Sequence, residues 1–299
     1  KENQPVGVLA KSWKMSADSM QITFELNPLA RWSDGKAITA EDIQFYYDVI
    51  MNKQNLTAVF RVSLSRFERP IIVDERTIIF KAKEKHWQNF WAAAECVAFP
   101  KHLWADKKFN NIKWDFEVVS GPYKISKVSK NRSVTLKRRL NWWGDRLAYN
   151  FGKYNFDRIK YKYIQDRVKT LEAFKKGDLD IYPIYTASIW MKQTQFESVE
   201  KGLVNRERIY NKRPIGAQGF AMNMRKEKFK DLRVREALTL LLDRDIINEK
   251  FMYKQYFMLN SYFPDLYPQN QNPNHPVEVF NSAKARELLK SAGYEVNSM

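Results

Sequence analysis

The sequence predicts a mixed α/β fold, and three kinds of pattern lead to that prediction. Apolar residues alternate with polar ones in several short segments, as they do in half-buried strands. Elsewhere they recur at spacings of three and four, as they do on one face of a helix. Gly and Pro separate these segments. With 299 residues, 44% of them hydrophobic, the chain can build a core, and this composition excludes a disordered protein.

In the first half of the chain, strands are predicted on either side of helical segments. The Asp34-Gly35 turn leads into a helix for which Thr39 is the predicted N-cap, and Asp42 fits a capping box. The predicted elements, in order, are a strand with Ile22, Phe24 and Leu26, a helix with Ile43, Tyr46, Tyr47 and Ile50, a strand with Ile78 and Phe80, a helix from His86 to near Pro100, and a hairpin pairing Tyr123 and Ile125 with Val134 and Leu136.

In the second half, helices predominate. Gly177 predicts the end of one helix and Gly293 the end of another, because glycine readily adopts the left-handed conformation found there. The predicted elements are a strand with Ile159, Tyr161 and Tyr163, a helix with Val168, Leu171 and Phe174, a strand with Leu179 and Ile181, a helix from Asp231 to Leu242, a helix from Asp243 to Phe251, a loop from Pro264 to Pro276, and a helix from Ser282 to Ala292.

Composition leaves several binding partners open. The net charge of +17 fits nucleic acid, an anionic membrane or an acidic ligand, but the basic residues are dispersed, with Lys137-Arg138-Arg139 the longest run. Ordinary basic solubility is the simpler interpretation. Cys96 is the only cysteine and the three histidines lack metal-site spacing, so we expect no disulfide, metal or cofactor. No apolar run approaches the length of a membrane span.

The sequence does not predict an enzyme. It lacks the phosphate-loop, dinucleotide, zinc-protease and serine-hydrolase motifs. Its acidic pairs, such as Glu41 with Asp42 and Asp243 with Asp245, stand at helix starts, where carboxylates stabilise exposed N–H groups. A peptide or ester hydrolase is the third-ranked hypothesis.

Aromatic residues support a second hypothesis, a nucleic-acid-binding protein. The chain has 9 Trp, 15 Tyr and 19 Phe, and interleaved with Lys and Arg these could stack on bases. The same residues could instead line a cleft for an extended ligand or pack a core. No RNA-binding or zinc-finger motif favours nucleic acid.

Five segments resemble, in matching order, the family 5 extracellular solute-binding proteins, which are the peptide and nickel receptors of bacterial ABC importers. The segments are Val8-Leu9-Ala10-Lys11-Ser12-Trp13, Trp32-Ser33-Asp34-Gly35 with Thr39-Ala40-Glu41-Asp42, Ser120-Gly121-Pro122-Tyr123, Leu171-Glu172-Ala173-Phe174 with Gly177-Asp178-Leu179-Asp180, and Asp231-Leu232-Arg233-Val234-Arg235-Glu236-Ala237-Leu238 with Asp243-Arg244. Shorter matches, including Trp143-Gly144-Asp145 and Asn155-Phe156-Asp157, resemble the branch of periplasmic oligopeptide receptors that includes the microcin C-binding protein.

The resemblance implies a periplasmic-binding-protein-like α/β fold of type II, cluster C, with two lobes and an additional inserted lobe. Residues 1–118 would correspond to the inserted lobe, 119–225 to part of the first main lobe, and 226–299 to the start of the second. We expect the 299 residues to be a part of a longer protein, truncated at both ends, whose leader is absent from this sequence.

The resemblance also implies function without chemistry. A peptide would be captured in a cleft between the lobes and delivered to ABC permease subunits in the inner membrane, by a periplasmic, monomeric protein that binds no nucleic acid. Phe220 and Asn223 are the first candidate ligand-binding residues, and Gln218 is a lesser one, because Phe220-Ala221-Met222-Asn223 is similar to a family strand beside the cleft. Further candidates are Phe60 and Arg61 in the inserted lobe, and Asn260 and Ser261 in a loop near the opposite wall. A packing or capping role is the alternative for each.

Overall fold

The computed structural model describes residues 4–112, 116–210, 216–259 and 279–295. Contacts divide the chain into two compact units, Lys1–Ile164 and Gln165–Met299. The predicted lobe boundaries, after residues 118 and 225, stay predictions. Of the helices in the described ranges, none is long and apolar enough to cross a membrane.

Within its described residues, the first unit contains two antiparallel sheets and four α-helices. One sheet has the strand order β1-β2-β4-β3 and the other has the order β5-β6-β7. The strands are β1 (Ala10–Met15), β2 (Gln21–Leu26), β3 (Ile71–Ile72), β4 (Thr77–Lys81), β5 (Tyr123–Ser129), β6 (Ser133–Arg138) and β7 (Arg158–Lys162). The helices are α1 (Ala40–Met51), α2 (Ala58–Leu64), α3 (Asn89–Ala94) and α4 (Lys101–Trp104).

The four-stranded sheet and α1 enclose the main core of the first unit. Ile22 pairs with Phe80 and Phe24 with Ile78 across β2 and β4, and these four side chains are buried. The Phe24 and Phe80 rings meet edge to face, with their centroids 5.9 Å apart. Burial of each such side chain contributes about 1.5–3 kcal/mol. The predicted alternation in β2 and β4 is therefore confirmed as the inner face of a sheet.

The second unit is helical in its described parts. Its helices are α5 (Arg167–Lys175), α6 (Ala187–Lys192), α7 (Glu197–Glu200), α8 (Leu232–Leu240), α9 (Arg244–Ile246) and α10 (Ser282–Ser291). Its N-caps follow the predicted chemistry, since the Asp231 carboxylate accepts from Arg233 N–H at 2.9 Å and Asp243 accepts from Ile246 N–H at 2.9 Å. Helices α8 and α10 pack through Ala237, Leu240 and Ala285, among others.

Several predicted elements differ in length or are missing. The helix predicted from His86 to near Pro100 is the short α3, which ends at Ala94. The helix predicted from Asp243 to Phe251 is the short α9 followed by a π-helical turn, Ile247–Phe251. The strand predicted at Leu179 and Ile181 is wrong, because no described segment pairs with it. The loop predicted from Pro264 to Pro276 lies outside the described residues.

Turns at two glycines match the sequence prediction. Gly35 has a φ of +89° in the Asp34-Gly35 turn, and Gly177 has a φ of +79° just after α5. An L side chain at either position would be strained, because only glycine adopts this left-handed region at little steric cost. The Asp34-Gly35 turn thereby directs the chain from β2 into α1.

Candidate functional site

The Trp32–Asp42 segment has a structural role. Asp42 is only 5% exposed, and its Oδ2 accepts from Trp32 Nε1–H at 3.1 Å and from Thr39 N–H at 3.0 Å. Its Oδ1 accepts from Lys101 N–H at 3.0 Å. One carboxylate thus joins the turn, the start of α1 and the start of α4. Through these contacts Asp42 stabilises the packing of the three segments against one another.

Asp34 in the same segment is held by a second contact. Its Oδ2 lies 2.7 Å from His102 Nε2, and its Oδ1 accepts from Lys36 N–H at 3.1 Å. Partial burial raises the pKa of Asp34, but the Lys36 N–H and His102 contacts outweigh it and hold the pKa below the ordinary value. The predicted structural role of acidic residues at this turn fits these contacts.

An exposed apolar surface on α2 and in the turn before it surrounds the candidate Phe60. Phe60 is 61% exposed, and its neighbours Leu56, Val59 and Val62 are also largely exposed. We call these four residues the α2 apolar surface. Exposed apolar clusters of this kind commonly mark a binding surface. Only Phe60 was predicted from the sequence. The other three could not be distinguished from core residues, since Leu56, Val59 and Phe60 have the i, i+3, i+4 spacing of one helix face.

Arg61, the neighbouring candidate, donates hydrogen bonds to backbone carbonyls. Its Nε donates to Ile50 O at 3.1 Å, and its Nη2 donates to Asn52 O at 3.1 Å and to Asn55 O at 3.2 Å. These carbonyls belong to the end of α1 and the turn after it, which lack helical partners. The guanidinium therefore caps α1, and ligand binding by Arg61 stays a prediction.

The segment from Gly216 to Asn223 contains three further candidates, in the second unit. Phe220 is 81% exposed, and Gln218 and Asn223 are exposed as well. The resemblance implied a strand here, but no described strand pairs with it, and residues 216–222 make no hydrogen bond to a described residue. Asn223 instead begins a turn, because its Oδ1 accepts from Arg225 N–H at 3.1 Å.

The candidates belong to both units. Phe60 and Arg61 belong to the first unit, whereas Gln218, Phe220 and Asn223 belong to the second. Asn260 and Ser261 lie outside the described residues.

An apolar cavity of about 310 Å³ lies inside the first unit. Its walls come from the N-terminal segment 5–10, from β2 and β4, from α3 with Phe90, and from Cys96 just after α3. Burial raises the pKa of the Cys96 thiol to about 12, with a smaller contribution from Glu95. A thiol with so high a pKa is a poor nucleophile at neutral pH.

Comparison with protein families gives one match across almost the whole chain. The family described as bacterial extracellular solute-binding proteins, family 5 Middle, matches residues 4–299. Among curated relatives, the probable peptide-binding protein YejA of Agrobacterium fabrum is 33% identical over 267 residues, covering 86% of this chain and 43% of that protein.

Solved structures share the fold at lower identity. NikZ from Campylobacter jejuni in complex with Ni(L-His) has a TM-score of 0.73 and 22% identity, covering 97% of this chain and 55% of NikZ. AppA from Bacillus subtilis in complex with a nonapeptide has a TM-score of 0.73 and 21% identity, covering 97% and 55% respectively. The chain therefore spans about half the length of the proteins it matches, and the predicted two-lobe α/β fold is confirmed.

Proposed function

Because the chain belongs to the family 5 bacterial extracellular solute-binding proteins, we propose that it is part of a receptor that captures peptides for an ABC importer. The observation that carries this proposal is the 33% identity to the probable peptide-binding protein YejA. The receptor would deliver the peptide to permease subunits in the inner membrane. Its proposed location is the periplasm, and its proposed state is a monomer.

Two described surfaces supply what a peptide receptor needs. Residues 216–222 offer backbone N–H and C=O groups that no described residue occupies, and such groups can pair with an extended peptide whatever its side chains. The α2 apolar surface offers an adaptable wall, with Phe60 as its aromatic member. Backbone pairing would supply affinity, and the apolar wall would tolerate varied side chains.

Solved structures that share this fold contain different classes of ligand. NikZ was solved with Ni(L-His) and AppA with a nonapeptide. Identities of 21–22% show the fold alone, so the peptide assignment depends on the closer YejA relative. No described contact favours catalysis, and the family consists of binding receptors.

Calorimetry with a defined peptide mixture tests the site residues. Phe220→Ala and Asn223→Ala are expected to weaken peptide binding at least about five-fold, the equivalent of about 1 kcal/mol. Phe251→Ala, at another exposed aromatic residue of the second unit, is the matched control and should leave affinity unchanged. Unchanged affinity in both test variants would refute the assignment of this segment to the ligand site.

A further inference from the structure

One face of the three-stranded sheet β5-β6-β7 carries six exposed cations, and Lys162, at the end of β7, has an interaction partner. The other five are Lys124 and Lys127 on β5, Lys137 on β6, and Arg158 and Lys160 on β7. We call these five residues the basic sheet face. Only Lys137 comes from the Lys137-Arg138-Arg139 run, because Arg138 lies on the opposite face of the strand. Basic residues that are dispersed along the sequence thus lie together on one face of the folded sheet.

Strand register brings the five residues onto one side. Lys137 pairs with Lys124 on one neighbouring strand and with Arg158 on the other, which makes a row of three cations across the sheet. In the next row, Thr135 pairs with Lys127 and with Lys160. Directly paired residues of an antiparallel sheet share a face, with Cβ atoms about 4.5–5.5 Å apart.

A β-bulge is needed for this arrangement. The register shifts between Ile125 and Lys127, so Ser126 is the extra residue in β5. Strict alternation from Lys124 would put Lys127 on the other face. The bulge returns Lys127 to the face of Lys124 and puts Val128 opposite the buried Val134. The local irregularity therefore segregates cations from apolar residues on the two sides of the sheet.

The basic sheet face has no counter-charge in the described part of the chain. None of its five residues forms an ion pair or a side-chain hydrogen bond with a described residue. Like charges directly opposite one another destabilise a sheet. Adjacent rows are about 7 Å apart and adjacent strands about 4.8 Å apart, so the cations lie within roughly one Debye length and act together.

The chemistry of this face favours a diffuse anionic surface over nucleic acid. Four of the five cations are lysines, which act as point charges, whereas fixed bidentate recognition of phosphates favours arginine. The sheet's aromatic residues Tyr123 and Tyr161 occupy the opposite face, opposite Arg138 and Val134, so the basic face has no ring on which a base could stack.

We propose that the basic sheet face binds the anionic lipid headgroups of a bilayer surface. The interaction is electrostatic and peripheral, and it needs no conformational change. It holds the protein beside the membrane, independently of peptide capture. Each lysine near an anionic surface raises affinity by about five-fold, from the usual contribution of about 1 kcal/mol.

Vesicle co-sedimentation tests the proposal with the complete 299-residue chain. Vesicles of equal parts phosphatidylglycerol and phosphatidylcholine are compared with vesicles of phosphatidylcholine alone. The test variant is Lys127→Gln/Lys137→Gln/Lys160→Gln, with one change per strand. The control variant, Lys14→Gln/Lys53→Gln/Lys85→Gln, makes the same change of net charge at exposed lysines of the first unit. Far-UV circular dichroism establishes that both variants fold.

The expected result is binding to anionic vesicles only, lost at about 1 M salt, where the Debye length is about 3 Å. The test variant should bind on the order of 100-fold more weakly, from three five-fold losses, and the control less than ten-fold more weakly. Replacing the same three residues by Arg should preserve binding. Equal losses in test and control variants, binding that salt does not weaken, or binding to nucleic acid or an acidic protein without binding to vesicles would each overturn the proposal.

Discussion

Replacement of Asp42 by Ala should severely destabilise the first unit. The change removes three hydrogen bonds, which the carboxylate accepts from Trp32 Nε1–H, Thr39 N–H and Lys101 N–H at 3.0–3.1 Å. A hydrogen bond to a charged group contributes about 1.5–3 kcal/mol, and a buried donor left without a partner costs a similar amount. Because the two backbone donors are only partly buried, we take the lower value for each. The expected loss in the free energy of unfolding is therefore roughly 4.5–6 kcal/mol.

Urea unfolding, followed by tryptophan fluorescence and far-UV circular dichroism, measures this loss. Asp48→Ala is the matched control on the same helix. Asp48 forms an exposed ion pair with Arg69, with Oδ2 at 2.7 Å from Nη2, and such pairs contribute about 1 kcal/mol or less. If Asp42→Ala lost no more stability than Asp48→Ala, the central structural role of the Asp42 carboxylate would be refuted.

Three further predictions concern other residues of the first unit. Arg61→Ala should destabilise by about 2 kcal/mol in urea unfolding, because three carbonyls each lose one of their donors, and Arg61→Lys should restore less than half of that loss; full restoration by Lys would contradict the capping role. Phe60→Ala should change stability by less than about 1 kcal/mol but weaken peptide binding in calorimetry, whereas Phe151→Ala, at an even more exposed phenylalanine of the same unit, should change neither. Cys96 should react with a thiol reagent far more slowly in the folded chain than in urea. The pKa of Cys96 in the folded chain lies above the unfolded value of about 8.5. The thiol's contribution to the free energy of unfolding is therefore complete below about pH 8.5 and is lost as the pH rises toward 12. Cys96→Ala should accordingly lose less stability at alkaline pH than the unchanged chain.

Elements with a long, regular apolar pattern were predictable from sequence. The alternation at Ile22, Phe24 and Leu26 and the helical spacing at Ile43, Tyr47 and Ile50 both face one core, and both predictions are confirmed. The strand at Leu179 and Ile181 failed because alternation describes one strand, while a sheet also needs a neighbour. Nothing local in the sequence indicates whether such a neighbour exists.

Site prediction was harder for a related reason. Ligand binding was predicted from the sequence for both Phe60 and Arg61. In the structure Phe60 is exposed, whereas Arg61 caps α1. The difference depends on where the end of α1 lies relative to α2, which is a tertiary contact. The basic sheet face was missed because its cations come from three strands, and because the Ser126 bulge reverses the alternation. The family resemblance, by contrast, is confirmed. It could be found in the sequence because each of its motifs is a local run of residues.

Native mass spectrometry of the chain purified without denaturation tests the central claim most directly. If the chain belongs to a peptide receptor, it should carry a ladder of short peptides that are released on denaturation and compete with an added peptide mixture. Phe220→Ala should reduce the occupied fraction, and Phe251→Ala should not. Spectra that show nucleotides, a metal complex or no bound molecule, with no mass shift on addition of the peptide mixture, would contradict the account.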